Sequence, residues 1–195
     1  MPPGSRNNWP PRQAVFRTTG TLTEGSVQVE GAYDYAGQNS ERVLQLAALN
    51  AALQTGLANP LDAALLQTHA PDLTGARKLG EIPFDFVRKR LSVIVQDATG
   101  AHLITKGAFD RVLEVCSQTT DGARLGPQEI ATLRRRYQEW SSQGIRVIAV
   151  AVRAIDTLPT YKRDDERDMT FTGFVTSAKG PLFRWADTNL TGRIR

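Results

Sequence analysis

Only one cysteine, Cys116, and two histidines, His69 and His102, occur among the 195 residues. A lone cysteine closes no internal disulfide and suits a reducing compartment. So few soft ligands give no expectation of a zinc or copper centre. No apolar run approaches the ~20 residues that span a bilayer, so no direct membrane contact is expected. The opening Met-Pro-Pro-Gly-Ser-Arg-Asn-Asn carries no apolar stretch of the kind a secretory signal needs. Neither G-x-x-x-x-G-K-[ST] nor G-x-G-x-x-G is present, so any bound nucleotide is held by another device. Charge of one sign is scarce too: 24 Lys and Arg against 20 Asp and Glu leave +4. That permits an anionic ligand but is spread too thinly to announce a nucleic-acid protein. What remains, 41% hydrophobic and 23% charged residues, is the make-up of a globular domain with one core.

Residues 1–18, with Pro2, Pro3, Pro10 and Pro11 among polar neighbours, read as a disordered lead. Alternation at Val27, Val29, Gly31, Tyr33 and Tyr35 predicts a strand. Ser40 caps a helix whose Val43, Leu46, Ala47, Asn50 and Leu53 recur at helical spacing to about Gly56. Asn59-Pro60 opens a second helix, to about His69. Three β-patterns follow at Arg77 to Pro83, Arg90 to Asp97 and His102 to Thr105, with a tight turn at Thr99-Gly100. A short helix over Gly107 to Val115 and a longer one over Pro127 to Ser142 come next, the latter burying Ile130, Leu133, Tyr137 and Trp140. Ile145 to Val152 reads as a central strand covered on both faces. Tyr161 to Asp168 reads as a solvated loop, its acidic run Asp164, Asp165, Glu166 and Asp168 included, and Met169 to Thr176 as the last strand. The periodicity then fails, giving a poorly ordered tail over 177–195. The expected class is α+β: a mostly antiparallel sheet flanked by helices.

Several short motifs share one resemblance. Thr18-Thr19-Gly20-Thr21-Leu22-Thr23 resembles the Asp-Lys-Thr-Gly-Thr-Leu-Thr phosphorylation motif of P-type cation-transporting ATPases. Asn59-Pro60-Leu61-Asp62, Pro83-Phe84-Asp85-Phe86-Val87-Arg88-Lys89-Arg90 and Thr105-Lys106-Gly107-Ala108 resemble motifs of that family's nucleotide-binding (N) domain, in the same order. Gly144-Ile145-Arg146-Val147 and Phe171-Thr172-Gly173-Phe174-Val175 resemble its end. The wording around Leu44 to Ala47 and Phe84 to Ser92 is most similar to the magnesium-transporting branch. The resemblance covers residues 19–176. It implies a cytosolic domain that binds ATP as the magnesium complex and, in a full transporter, serves a neighbouring phosphorylation domain. Arg17 stands where the family has its phosphorylated aspartate, and arginine accepts no phosphoryl group. The expectation is thus a monomeric nucleotide-binding domain that neither pumps ions nor turns ATP over appreciably. A mildly basic nucleic-acid-binding module, or an inert interaction module, is the alternative.

The resemblance nominates six residues. Phe84 matches a phenylalanine that stacks on adenine; without the motif it reads as core, with Phe86 the better core candidate. Lys89, on the same strand face as Leu91, Val93 and Val95, is either a phosphate contact or a strand-end lysine beside solvated Arg88 and Arg90. Lys106 and Gly107, read as a strand end opening a helix, line the base of the family's pocket. Arg146 heads an apolar strand and needs an anion: a triphosphate on the family reading, otherwise a carboxylate such as Asp62 or Asp110. Asp62 lies near the adenine amino group in the family, while its spacing from Asn59 is that of a capping box.

Overall fold

A strand that reads apolar on both faces must be covered on both, and the four strands central to this chain are. The structure is a computed structural model that describes residues 27–56 and 59–178. The motif at Thr18 to Thr23, Arg17, the expected lead and nearly all of the expected tail lie outside the described residues.

The elements in chain order are β1 (Val29–Asp34), α1 (Glu41–Leu53), α2 (Pro60–Thr68), β2 (Arg77–Ile82), β3 (Arg90–Asp97), β4 (Gly100–Ala108), α3 (Phe109–Leu113), β5 (Cys116–Thr119), α4 (Pro127–Ser142), β6 (Arg146–Ala154) and β7 (Met169–Ser177). The sheet runs β1-β7-β6-β4-β3-β2, every neighbour antiparallel, with β5 added parallel to β7. The α+β class expected from the sequence is what is found. Ser40 caps α1 by accepting from the Val43 amide, and Asn59 caps α2 by accepting from the Asp62 amide, with Pro60 at the first helical position.

Three elements differ from expectation. The strand expected over His102 to Thr105 continues to Ala108, so Lys106 and Gly107 lie inside β4 and open no helix. The expected helix from Gly107 to Val115 shrinks to the five residues of α3, because β4 takes its first turn. The four-residue β5 had no signal: Cys-Ser-Gln-Thr is too short and too polar to alternate visibly.

Two apolar clusters sandwich the sheet. On one face Val43, Leu46, Ala47 and Leu65 of α1 and α2 pack over Leu91, Val93, Val95, Ile104 and Val150. On the other, α3 and α4 deliver Phe109, Val112 and Leu133 against Ile94, Leu103, Ala149, Ala151, Phe171 and Phe174. Phe109 is the hub of this second cluster, stacked on Tyr137 at 4.6 Å and set against Phe174 and Phe171 at 5.6 and 6.2 Å between ring centroids. Among the described residues no helix is long and apolar enough to cross a membrane.

Phe109→Ala should therefore remove the ring that ties α3 and α4 to the sheet. The expected cost is about 3–5 kcal/mol of unfolding free energy, read from urea denaturation followed by circular dichroism.

Candidate nucleotide-binding site

The antiparallel register carries most of the nominated residues to one end of the sheet. Leu91 pairs with Lys106 and Arg90 with Gly107, at the start of β3 and the end of β4. Ala108 faces Ile148, so Arg146, two residues earlier, starts β6 beyond that same end. Ile82 closes β2 opposite Ser92, and Phe84 to Lys89 then cross to β3. The N-terminus of α2 brings in Asp62.

Lys106 shares the side of the sheet that carries Leu91 and Val150, under α1 and α2. Its ammonium is buried and paired with the carboxylate of Asp62, itself 4% exposed. The Asp62 carboxylate also accepts from the Gln54 side chain and, at 2.6 Å, from the Asn59 amide nitrogen. Asp62 is thus no capping-box residue: its carboxylate turns away from the Asn59 backbone and takes three side-chain donors. Burial lowers the Lys106 pKa, and the Asp62 charge opposes that shift. Gln54, at the C-terminal end of α1, is a member of this group that sequence reading missed. It lies just past the last helical repeat, where periodicity carries no information.

Gly107 is required by backbone approach. A Cβ there would stand 2.4 Å from the Lys89 carbonyl oxygen and 2.6 Å from the Arg90 Cα. Only glycine lets β4 lie this close to the start of β3.

The β2–β3 connection, residues 83–89, is organised from the inside. Asp85 accepts from the amides of Val87 and Arg88 and from the Arg88 guanidinium, at 2.9, 2.7 and 2.5 Å. Arg88 also donates to the Pro83 carbonyl and to Glu166, each at 2.5 Å. Arg90 donates to the same Glu166 oxygen at 2.7 Å, and Ser92 to its other oxygen at 2.6 Å. Arg90 and Glu166 are both buried, so the readings of Arg88 and Arg90 as solvated and of Glu166 as part of a solvated acidic loop are corrected. Two arginines in a strand-end position need a carboxylate, and a distant one supplies it.

Phe84 is 37% exposed and meets Phe86 edge-on at 5.6 Å. Phe86, at 69% exposed, is no core residue: the turn ending at Lys89 carries it outward. Lys89 is corrected too. At φ 49° its backbone is left-handed, which breaks the strand alternation and takes it off the row of Leu91, Val93 and Val95. It lines a cavity of about 420 Å³ with Ala108, Phe109, Glu114 and Tyr137, on the α3–α4 side. Phe84 lines a different cavity, about 340 Å³, with Pro83, Arg88, Tyr161 and Lys162. Neither alternative partner of Arg146 is available: Asp62 pairs with Lys106, and Asp110 lies 3.7 Å from Arg134. Among the described residues Arg146 has no ion pair. The sheet end thus gathers the nominated residues, but Phe84 and Lys89 line separate cavities and the Asp62–Lys106 pair is buried away from both.

Comparison with known proteins decides the family. The family model described as "P-type ATPase, cytoplasmic domain N" matches residues 19–178. The chain belongs to the N-domain family of P-type ATPases. The N domain is 39% identical over 175 residues to the P-type 1 magnesium-transporting ATPase of Escherichia coli K12, covering 84% of this chain and 19% of that protein. A magnesium-transporting ATPase of Salmonella typhimurium LT2 matches at 39% over 173 residues, with the same coverage. A calcium-transporting ATPase of Listeria monocytogenes matches at 31% over 106 residues, 52% of this chain and 12% of its own. The chain spans about a fifth of the length of the magnesium-transporting relatives.

Two outcomes follow for the N domain. Asp62→Ala leaves the Lys106 ammonium buried without its counter-charge, and should cost about 3–5 kcal/mol in urea unfolding, whereas Asp62→Leu with Lys106→Met should recover most of the loss. The Asp85 carboxyl is held down to about 2 from an ordinary 3.8, by the Arg88 amide first, then by the Arg88 guanidinium and the Val87 amide. Below pH 4 the unfolded chain takes up that proton before the folded one. The melting temperature should thus fall as pH drops from about 4 towards 2, and fall less steeply in Asp85→Asn.

Proposed function

We propose that this N domain binds ATP, as the magnesium complex, at the sheet end where β3 begins and β4 ends. In a complete P-type transporter it would hold that nucleotide for a phosphorylation domain, in a cycle that moves magnesium across a membrane. Family membership and the convergence described above support the reading. The single observation that carries it is that Phe84, in the β2–β3 connection at the end of the sheet, is 37% exposed, whereas Phe171 and Phe174 of β7 are fully buried. Stacking of an aromatic ring on a purine's flat π-surface is the chemistry that a partly exposed phenylalanine supports.

On this reading Phe84 stacks on adenine. The buried Asp62–Lys106 pair borders the base, its ammonium held in place by a carboxylate rather than free to swing. Gly107 keeps the β4 backbone low beneath the pocket. Lys89, exposed, and Arg146, without a carboxylate partner among the described residues, supply cations for the phosphates. Joining these recesses around one ligand requires the 83–89 connection to place Phe84 towards the Lys106 side of the sheet. Magnesium would reach the site on the phosphate oxygens, and its chemistry is charge neutralisation there. The domain's own share of catalysis is positioning, the main demand of phosphoryl transfer. With Arg17 in the aspartate position, this chain should form no aspartyl phosphate.

Calorimetric titration with ATP, GTP and single-stranded DNA tests the reading. ATP should bind, and Phe84→Ala should weaken it about 5- to 150-fold, the worth of one stacking contact. ATP affinity indifferent to Phe84→Ala would remove the site. Tight DNA binding that falls steeply with salt would favour a nucleic-acid module instead.

A further inference from the structure

We infer that Glu166 is a positioning residue of the nucleotide site, acting on Phe84 through the Arg88 guanidinium. The inference rests on the ATP reading above and extends it to a residue far from the ligand. Glu166 lies in the β6–β7 connection, 78 residues from Arg88, and its side chain is fully buried. Its Oε2 takes one bond from Arg88 and one from Arg90; its Oε1 takes the Ser92 hydroxyl, which is 2.6 Å from the Thr105 hydroxyl. The Arg90 guanidinium is tied in addition to the Arg111 carbonyl at 2.8 Å. Arg90, Ser92 and Thr105 belong to the rigid strands β3 and β4, so the carboxylate is fixed to the sheet.

Arg88 is not in a strand. Its guanidinium reaches inside the 83–89 connection, bonded to the Pro83 carbonyl on one side of Phe84 and to the Asp85 carboxylate on the other. The residues flanking the ring are therefore held by one side chain, and Glu166 is what anchors that side chain to the sheet. Asp85 alone does not do so, because it lies on the same connection as Phe84; its other ion partner is Arg163, 69% exposed. Neutralising Glu166 removes the anchor and leaves the buried Arg90 and the part-buried Arg88 guanidinium groups facing an amide.

A double-mutant cycle in the full chain separates positioning from general stability. Glu166→Gln should lower ATP affinity about tenfold, and less than about twofold when Phe84→Ala is already present, because the ring it places is then gone. The ring proton resonances of Phe84 in the free chain should shift or broaden in Glu166→Gln while the methyl resonances of Val43 and Leu65, across the sheet, stay put. Arg88→Gln keeps the Glu166–Arg90 pair; it should show the same coupling to Phe84→Ala and serves if Glu166→Gln fails to fold. Equal losses with and without Phe84, or no loss in the native background, overturn the inference while leaving ATP binding standing. Absence of ATP binding by the native chain overturns the site reading, and this inference falls with it.

Discussion

A lysine and an arginine stand side by side, buried, in two paired strands, and each needs a carboxylate from somewhere else in the chain. Lys106 of β4 is opposite Leu91, and Arg90 of β3 is opposite Gly107, so the two cations emerge on opposite faces of one sheet. Under α1 and α2 the answer is Asp62, from the first turn of α2. On the far face it is Glu166, from the β6–β7 connection. An uncompensated charge at either place would be costly enough to undo the domain's margin of stability. The two ion pairs therefore pin a helix and a long connection to one end of the sheet, the end that carries Lys106, Gly107 and the start of β6. Elsewhere both faces of the sheet are covered by the two apolar clusters.

This arrangement explains why the 83–89 connection can expose apolar residues and still keep a shape. Phe84, Phe86 and Val87 are 37, 69 and 82% exposed, and none of them belongs to either apolar cluster of the core. Order comes instead from charge-assisted bonds running through Arg88 on its inner side. Such bonds are short and directional, so they fix geometry where packing cannot. The left-handed Lys89 completes the turn: its carbonyl accepts from the Ala108 amide at 2.9 Å, closing the connection onto the end of β4.

The strands and long helices were legible because period and caps are local signals. The alternation of β3 and β6, Ser40, Asn59-Pro60 and the stripe of α4 each occupy a window of about a dozen residues. The order of the motifs was equally readable, and with it the family. What local reading could not reach was pairing over distance. Glu166 sits among Asp164, Asp165 and Asp168, a context that looks solvated, and its partners are 74 to 78 residues away. Lys89 was placed on an apolar row by alternation, which holds only while φ stays negative. A phenylalanine beside a strand reads as core, but the turn ending at Lys89 leaves Phe86 69% exposed. Asp62 had the spacing of a capping box, and a buried lysine 44 residues on claimed its carboxylate instead.

The same geometry bears on how a domain without a glycine-rich phosphate loop would serve phosphoryl transfer. A wrapped loop satisfies the phosphates with many amides and buries them. Here the groups proposed for the phosphates are long cationic side chains at the edge of the sheet, while those proposed for the base are a partly exposed ring and a buried ion pair. Binding energy would then fall on the part of the nucleotide that does not react, and the terminal phosphoryl group would remain uncovered. That division suits the proposed role of holding the nucleotide for a separate phosphorylation domain. An open terminal phosphate can be approached by that domain without first being released, and the modest affinity this implies lets the product leave.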